Sequence, residues 1–198
     1  MKKSKWVSLL FVGFSLACGF TSVGQDKKTI VTDIFTVTYS EDYEQPIKLK
    51  YRVECPTGEQ GRSGISWYGY DNVHTSDNED YKDNEWDRGH LAPANAFSCD
   101  KETIKKTFTY LNCALQHEGL NRGPWKELER FERDLAKFFE VVVIVEVDFT
   151  ENPERVPGGA AIPRGFYKTI HFKGNHWKFY FPNINVAGED WFSFIIEQ

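Results

Sequence analysis

The sequence lacks an excess of positive charge. Its 24 Lys and Arg are outnumbered by 29 Asp and Glu, for a formal net charge of -5. No global electrostatic case therefore exists for a polyanionic partner, and any surface that binds one must be a local patch. A long apolar run is also missing: the best candidate, Trp6 to Phe20, is too short for a membrane span. Internal repeats and low-complexity segments are absent, and an aromatic content of 16% argues against disorder. The four cysteines are spaced for neither a zinc ribbon nor a zinc finger, which excludes zinc sites of those kinds. What remains is a chain of 198 residues, enough for one domain with a real core and too few for two.

Lys2, Lys3 and Lys5 precede the short apolar run, and Ser22-Val23-Gly24 follows it in a small-x-small pattern. This reads as a signal segment over 1–24 with cleavage near Gly24, followed by one domain over 25–198. Lipidation at Cys18 is a second reading, although Ser15 stands where a lipoprotein signal usually has Leu; an uncleaved anchor is a third. The expected location is outside the cytoplasm: periplasmic, extracellular or lipid-anchored to the envelope. Cys55, Cys99 and Cys113 then remain, which allows one disulfide and one free thiol in an oxidising compartment and leaves the pairing open.

Ile30 to Tyr39 is β-branched and aromatic and predicts a strand; Ile47 to Glu54 alternates apolar and charged and predicts a half-buried one. Residues 55–86 are rich in Gly and Asp and predict a long loop, with Trp67, Tyr68, Tyr70, Tyr81 and Trp86 as packing anchors or as platforms for exposed bases. A short helix or turn is expected over 101–111, where Ile104, Phe108 and Leu111 fall at helical spacing. Trp125, Leu128, Phe131, Leu135, Phe138 and Phe139 form an apolar stripe that predicts a helix over 124–139. Val141 to Phe149 is nearly all apolar and predicts a central strand buried on both faces. A hairpin over 166–182 turns at Lys173-Gly174-Asn175, and Trp191 to Ile196 closes the chain as a strand or a helix.

Chemistry concentrates in Asp87-Arg88-Gly89-His90-Leu91-Ala92-Pro93. His90 titrates near neutrality when unperturbed and can take a proton from water if its tautomer is held. Arg88 is a planar cation suited to phosphate. Gly89 allows a sharp turn or close approach to a ligand, and Asp87 can orient either neighbour. A second stretch, Asn112 to Glu129, carries amide and carboxylate oxygens suited to Mg²⁺. In one continuous helix, Asn121 and Glu129 would lie about 80° apart and roughly 12 Å along the axis, so they could not both bind one ion directly.

Asp87-Arg88-Gly89-His90 with Pro93, followed by Asn112, Gln116, Asn121, Trp125 and Glu129, resembles the non-specific DNA/RNA endonucleases of the ββα-metal superfamily. Ile162 to Lys168 resembles a further family segment, and the likeness spans most of residues 45–183. The resemblance implies an α+β fold, with a mostly antiparallel central sheet, flanking helices and a ββα-metal site. It implies a Mg²⁺-dependent endonuclease, with Mn²⁺ as the alternative ion, that hydrolyses DNA and RNA to 5′-phosphate ends. His90 would be the general base, and Asn121 the sole direct protein ligand of the metal. Glu129 would act through a water of that ion, Arg88 would stabilise the phosphate, and Asn112 would position His90 or its loop. The family's upstream arginine corresponds to Arg62, with Arg52 as the alternative. Three departures stand out: Leu115 where the family often has Pro, Glu146-Val147-Asp148 where it often has Thr-Gly, and a chain that stops soon after Glu197.

Arg122, Lys126, Arg130, Arg133 and Lys137 fall on one stripe of the long helix among Glu127, Glu129, Glu132 and Asp134. A solvated face laced with ion pairs is the favoured reading, and a phosphate-tracking rail is the functional one. Two rivals to the endonuclease reading remain: a non-catalytic nucleic-acid-binding protein of the same fold, and a metal-dependent phosphodiesterase acting on another substrate.

Overall fold

The computed structural model describes residues 27–198, so the expected signal segment and the Cys18 reading lie outside the described residues. In chain order the strands are β1 (Lys27–Val31), β2 (Phe35–Ser40), β3 (Gln45–Arg52), β4 (Trp86–His90), β5 (Cys113–His117), β6 (Val141–Asp148), β7 (Gly165–Phe172), β8 (Asn175–Pro182) and β9 (Ile195–Glu197). The helices are α1 (Lys101–Lys106), α2 (Glu118–Asn121) and α3 (Pro124–Ala136). Seven strands form an antiparallel sheet in the order β1-β2-β3-β6-β7-β8-β9, and β4 pairs with β5 as a separate antiparallel ribbon. The architecture is α+β, as predicted.

The sheet has one dry face. Val37, Tyr39, Leu49, Tyr51, Val143, Val145, Phe166, Ile170, Phe179 and Phe181 are buried on it, together with Trp125 and Leu128 from α3 and Leu91, Ala92 and Ala114 from the ribbon region. Three expectations need correction. The run over 30–39 is two strands, because the Thr32 hydroxyl accepts from the Ile34 and Phe35 amides and folds the chain back. Strand β6 is central but buried on one face only: Lys48, Lys50 and Arg52 stand opposite Glu146, Ile144 and Val142 on the wet face. Helix α3 ends at Ala136, and Phe138 is exposed. Gly123 stands between α2 and α3 with Pro124 in the first turn of α3, as expected, so the condition of one continuous helix through Asn121 and Glu129 does not hold; a Cβ on Gly123 would come within 2.5 Å of the Gly119 carbonyl.

Other elements follow expectation. The β7–β8 hairpin turns on Lys173 and Gly174, both at positive φ, as a two-residue turn that matches strand twist. Trp191–Phe194 is a 3₁₀ turn that leads into β9, so both readings of the C-terminal run apply to part of it. Glu146 pairs with Lys48, and Asp148 pairs with Arg164 and accepts from the Tyr180 hydroxyl, which places both carboxylates on the wet face.

Side-chain amides fasten the ribbon to the sheet. The buried Gln45 accepts from the Leu115 amide. Asn183 accepts from the His117 amide and donates to the Leu115 and Pro163 carbonyls. These contacts satisfy the edge of β5 that no strand covers. Leu115 can donate to Gln45, whereas a proline there could not. A disulfide joins Cys55 to Cys99, and Cys113 is free and buried, donating to the Tyr81 hydroxyl.

The disulfide closes the segment that carries the long loop and β4 across a separation of 44 residues. Replacing both cysteines by serine should lower the unfolding free energy by about 2–4 kcal/mol, through a freer unfolded chain. Urea unfolding of the two proteins measures this. An unchanged midpoint would show that the loop is fixed by its packing alone.

Candidate active site

Strand alternation decides which way the motif faces. Arg88 and His90 share one side of β4 and line a cleft of about 620 Å³ together with Arg62, Trp67, Phe108, Asn121, Lys126 and Glu129. Five of the six site residues read from the sequence thus face one space. The sixth, Asn112, lies fully buried behind it. Its Oδ1 accepts from the Ala92 amide at 2.7 Å, and its Nδ2 donates to the Ala92 and Thr107 carbonyls at 2.9 Å each. Asn112 therefore clamps the turn that follows His90 and makes no contact with the ring. Arg52, the alternative to Arg62, pairs with Glu54 and Glu140 on the sheet's wet face.

Gly89 and Asp87 do other work than the sequence suggested. Gly89 is extended, and a Cβ there would meet the Gln116 side chain at 2.4 Å, so the close approach it permits is to β5 and not to a ligand. Asp87 orients neither Arg88 nor His90. Its Oδ2 accepts from Asn121 Nδ2 at 2.8 Å and from Arg122 Nε at 2.9 Å, while Oδ1 accepts from the second Arg122 nitrogen at 2.7 Å. Arg88 is held by Asn78 Oδ1 at 3.0 Å and stands 5.0 Å over the Tyr81 ring. Residues from the long loop thus build the cradle of the motif arginine.

His90 sits between Trp67, with ring centroids 4.6 Å apart, and the edge of Phe108 at 4.8 Å. Its Nε2 is sealed from water without a hydrogen-bond partner, so Nδ1 is the nitrogen that can serve the cleft. Burial first, and the Arg62 charge second, hold the imidazole down to about 3. Glu129 moves the other way. Burial pushes its carboxyl up to about 7 against the opposing pull of Lys168.

Beneath the cleft lies a group of residues that the sequence reading missed. Glu132, assigned to the solvated face, is fully buried and accepts from the Tyr51 hydroxyl at 2.5 Å. Lys168, also fully buried, meets Glu132 at 2.6 Å, off the line of a directed hydrogen bond. Its ammonium lies 4.2 Å from the Trp125 ring centroid. The signal was present in the sequence: Glu132 is seven residues after Trp125 on the apolar stripe, and Lys168 alternates with Phe166 and Ile170 on the dry face of β7.

The basic stripe is mostly paired. Arg122 engages Asp87 and Glu118, Arg130 engages Glu127, Lys137 engages Asp134, and Arg133 donates to the Glu129 carbonyl. Lys126 is exposed, lines the cleft and has no ion pair among the described residues. The laced-face reading therefore holds for the stripe, with Lys126 set apart from it.

Among the described residues, no three His, Cys, Asp or Glu converge as an ion cage. The donor set instead fits an ion that keeps most of its water. Asn121 has its amide N–H committed to Asp87, which leaves its carbonyl oxygen as the open end, and Glu129 lines the same cleft.

Because the native imidazole resists protonation, the unfolded chain binds one more proton between about pH 3 and about pH 6.5. His90 should stay neutral through pH 5 in imidazole NMR titration of the free protein. Its contribution to stability should fall as pH drops through that window, and a midpoint near 6.5 would contradict the buried placement.

A model of the DNA/RNA non-specific endonuclease family matches residues 16–196. The chain is 32% identical to bovine mitochondrial endonuclease G over 96 residues, covering 47% of this chain and 32% of that one. It is 33% identical to mouse mitochondrial nuclease EXOG over 105 residues (47% and 28%), and 33% identical to the mitochondrial nuclease of Saccharomyces cerevisiae over 126 residues (56% and 36%). It spans about a third of the length of these relatives. Its fold superposes on a chain in the crystal structure of the EndoG/EndoGI complex with a TM-score of 0.76 at 22% identity, covering 85% of this chain and 79% of that one. On the strength of the family match, the chain belongs to the DNA/RNA non-specific endonuclease family.

Proposed function

We propose that the protein is a metal-dependent endonuclease that hydrolyses phosphodiester bonds in DNA and RNA without sequence preference. The carrying observation is that His90, Arg88, Arg62, Asn121 and Glu129 line one cleft in a member of this family. His90 Nδ1 accepts the proton of an attacking water. A pKa near 3 is a poor base in the empty cleft. A phosphate lying against Arg62 offsets the lesser of the two influences that depress it, burial being the larger, so the imidazole gains some basicity when substrate arrives.

Asn121 would hold a Mg²⁺ or Mn²⁺ ion, which when bound neutralises charge on the phosphate and on the departing oxygen. Arg62 and Arg88 add fixed positive charge where negative charge grows. Glu129 holds the water that returns a proton to the 3′ oxygen as the P–O3′ bond breaks. The products are a 5′-phosphate and a 3′-hydroxyl. Since these groups touch only the phosphodiester, sequence and sugar identity are not read. Asn112 acts through the backbone, by fixing the turn after His90.

We also infer export from the cytoplasm, by cleavage near Gly24 or by lipidation at Cys18. The Cys55–Cys99 disulfide supports an oxidising compartment. No helix among the described residues is long and apolar enough to cross a membrane.

Plasmid DNA and RNA degradation, with Mg²⁺ or with chelator, tests the proposal. The wild type with metal should degrade both, and chelation should abolish it. His90→Ala should lose about 10²–10⁴-fold in rate. Equal degradation by wild type and His90→Ala, or none by the wild type with metal, would sink the reading. Lys126→Ala should also reduce the slope of log affinity against log salt by about one, whereas Lys137→Ala should leave it unchanged.

A further inference from the structure

Two fully buried charges lie directly behind the cleft, and nothing in the proposed reaction uses them. Lys168 and Glu132 meet at 2.6 Å, and both are 0% exposed. Stability alone does not account for such a pair, since well-packed hydrophobic residues of similar volume usually serve as well or better. Its position is more informative. Trp125, Glu129 and Glu132 are one and two turns apart on α3, and so lie close together on its surface. Lys168 rises from the centre of β7 to meet that surface, with its ammonium on the Trp125 ring and its charge on Glu132.

We propose that Lys168 is a positioning residue for Glu129. Seated between Glu132 and Trp125, its ammonium locks this face of α3 onto the sheet and keeps the Glu129 side chain a cleft-facing carboxylate. The proposal rests on the role given to Glu129 above. Four ionisable groups bear on Glu129: Lys168 from β7, Glu132 and Arg133 from its own helix, and Tyr51 from β3. Burial disfavours its charge most strongly, and Lys168 is the largest opposing influence, ahead of the repulsion from Glu132. Without the lysine, a larger fraction of Glu129 would be the neutral acid, with fewer acceptor positions for a water.

The test uses two variants and two readouts on the full chain. Glu132→Gln is isosteric, still accepts from Tyr51 and still faces Lys168. Lys168→Met with Glu132→Gln removes both charges and leaves no lone buried ion. Carboxyl ¹³C NMR of the metal-free protein, with the Glu129 signal assigned by its loss in Glu129→Gln, reads the titration directly. In Glu132→Gln the Glu129 midpoint should fall. In the double variant it should rise by about one unit. The double variant should then lose roughly five-fold in kcat at pH 7 with KM unchanged, because a smaller fraction of Glu129 is ionised.

A Glu129 titration that does not move in the folded double variant would overturn the proposal. So would a raised KM with kcat intact. If the double variant does not fold, Lys168→Gln with Glu132→Gln, whose two amides can hydrogen-bond to each other, decides in its place, and an unmoved Glu129 midpoint there overturns the proposal. Failure of the wild type to cleave nucleic acid would remove the functional reading, while the NMR result would still decide whether Lys168 governs Glu129.

Discussion

The Asp87 carboxylate joins two pieces of chain that the topology delivers separately. It leaves β4 on the side opposite Arg88 and His90 and reaches α2, where it takes a two-pronged hold on Arg122 and a third contact from Asn121. Charge-assisted, bidentate contacts of this kind fix orientation as well as distance. The third contact decides which end of the Asn121 amide remains open. The half of the cleft that carries His90 and the half that carries the Asn121 amide oxygen therefore share a single anchor. Arg122, on the stripe that sequence spacing read first as a laced, solvated face and second as a rail for phosphates, is spent on this anchor and on Glu118.

Around that anchor, the ribbon of β4 and β5 is a small sheet that could not stand alone. It is held by amides. Gln45 and Asn183 cover the open edge of β5, and Asn112 pins the turn after His90. Each of these side chains is buried with its hydrogen bonds made, so the ribbon's polar backbone is satisfied while Leu91, Ala92 and Ala114 join the main core. An acidic chain thereby presents a cleft whose charged lining is largely positive: Arg62, Arg88 and Lys126 face it, with Glu129 partly withdrawn.

The parts legible in the sequence were those carried by local pattern. Alternation gave β3, the apolar stripe gave most of α3, and Lys173-Gly174 gave the β7–β8 turn. The motif residues His90, Arg88, Asn121 and Glu129 were legible through the resemblance of their ordered set to the family pattern, and the structure brings them to one cleft. What was not legible depends on tertiary partners. A threonine that hydrogen-bonds its own backbone split one strand into two. Glu132 and Lys168 sit at positions where pattern demands apolar residues, and each is tolerable there because the other, unseen in one dimension, neutralises it. Asp87 was read as a neighbour of Arg88 and His90, whereas alternation sends it to the other face of β4.

The central claim is that Asp87 fastens the amide side of the site to the strand that carries His90. Its most direct test is the affinity of the protein for Mn²⁺, read by electron paramagnetic resonance, in the wild type and in Asp87→Ala. Loss of an orienting partner behind a metal-binding side chain typically weakens metal affinity by about 10–100-fold. A loss of that size, in a variant that still unfolds cooperatively, is the predicted result. Equal Mn²⁺ affinity in the two folded proteins would contradict the account.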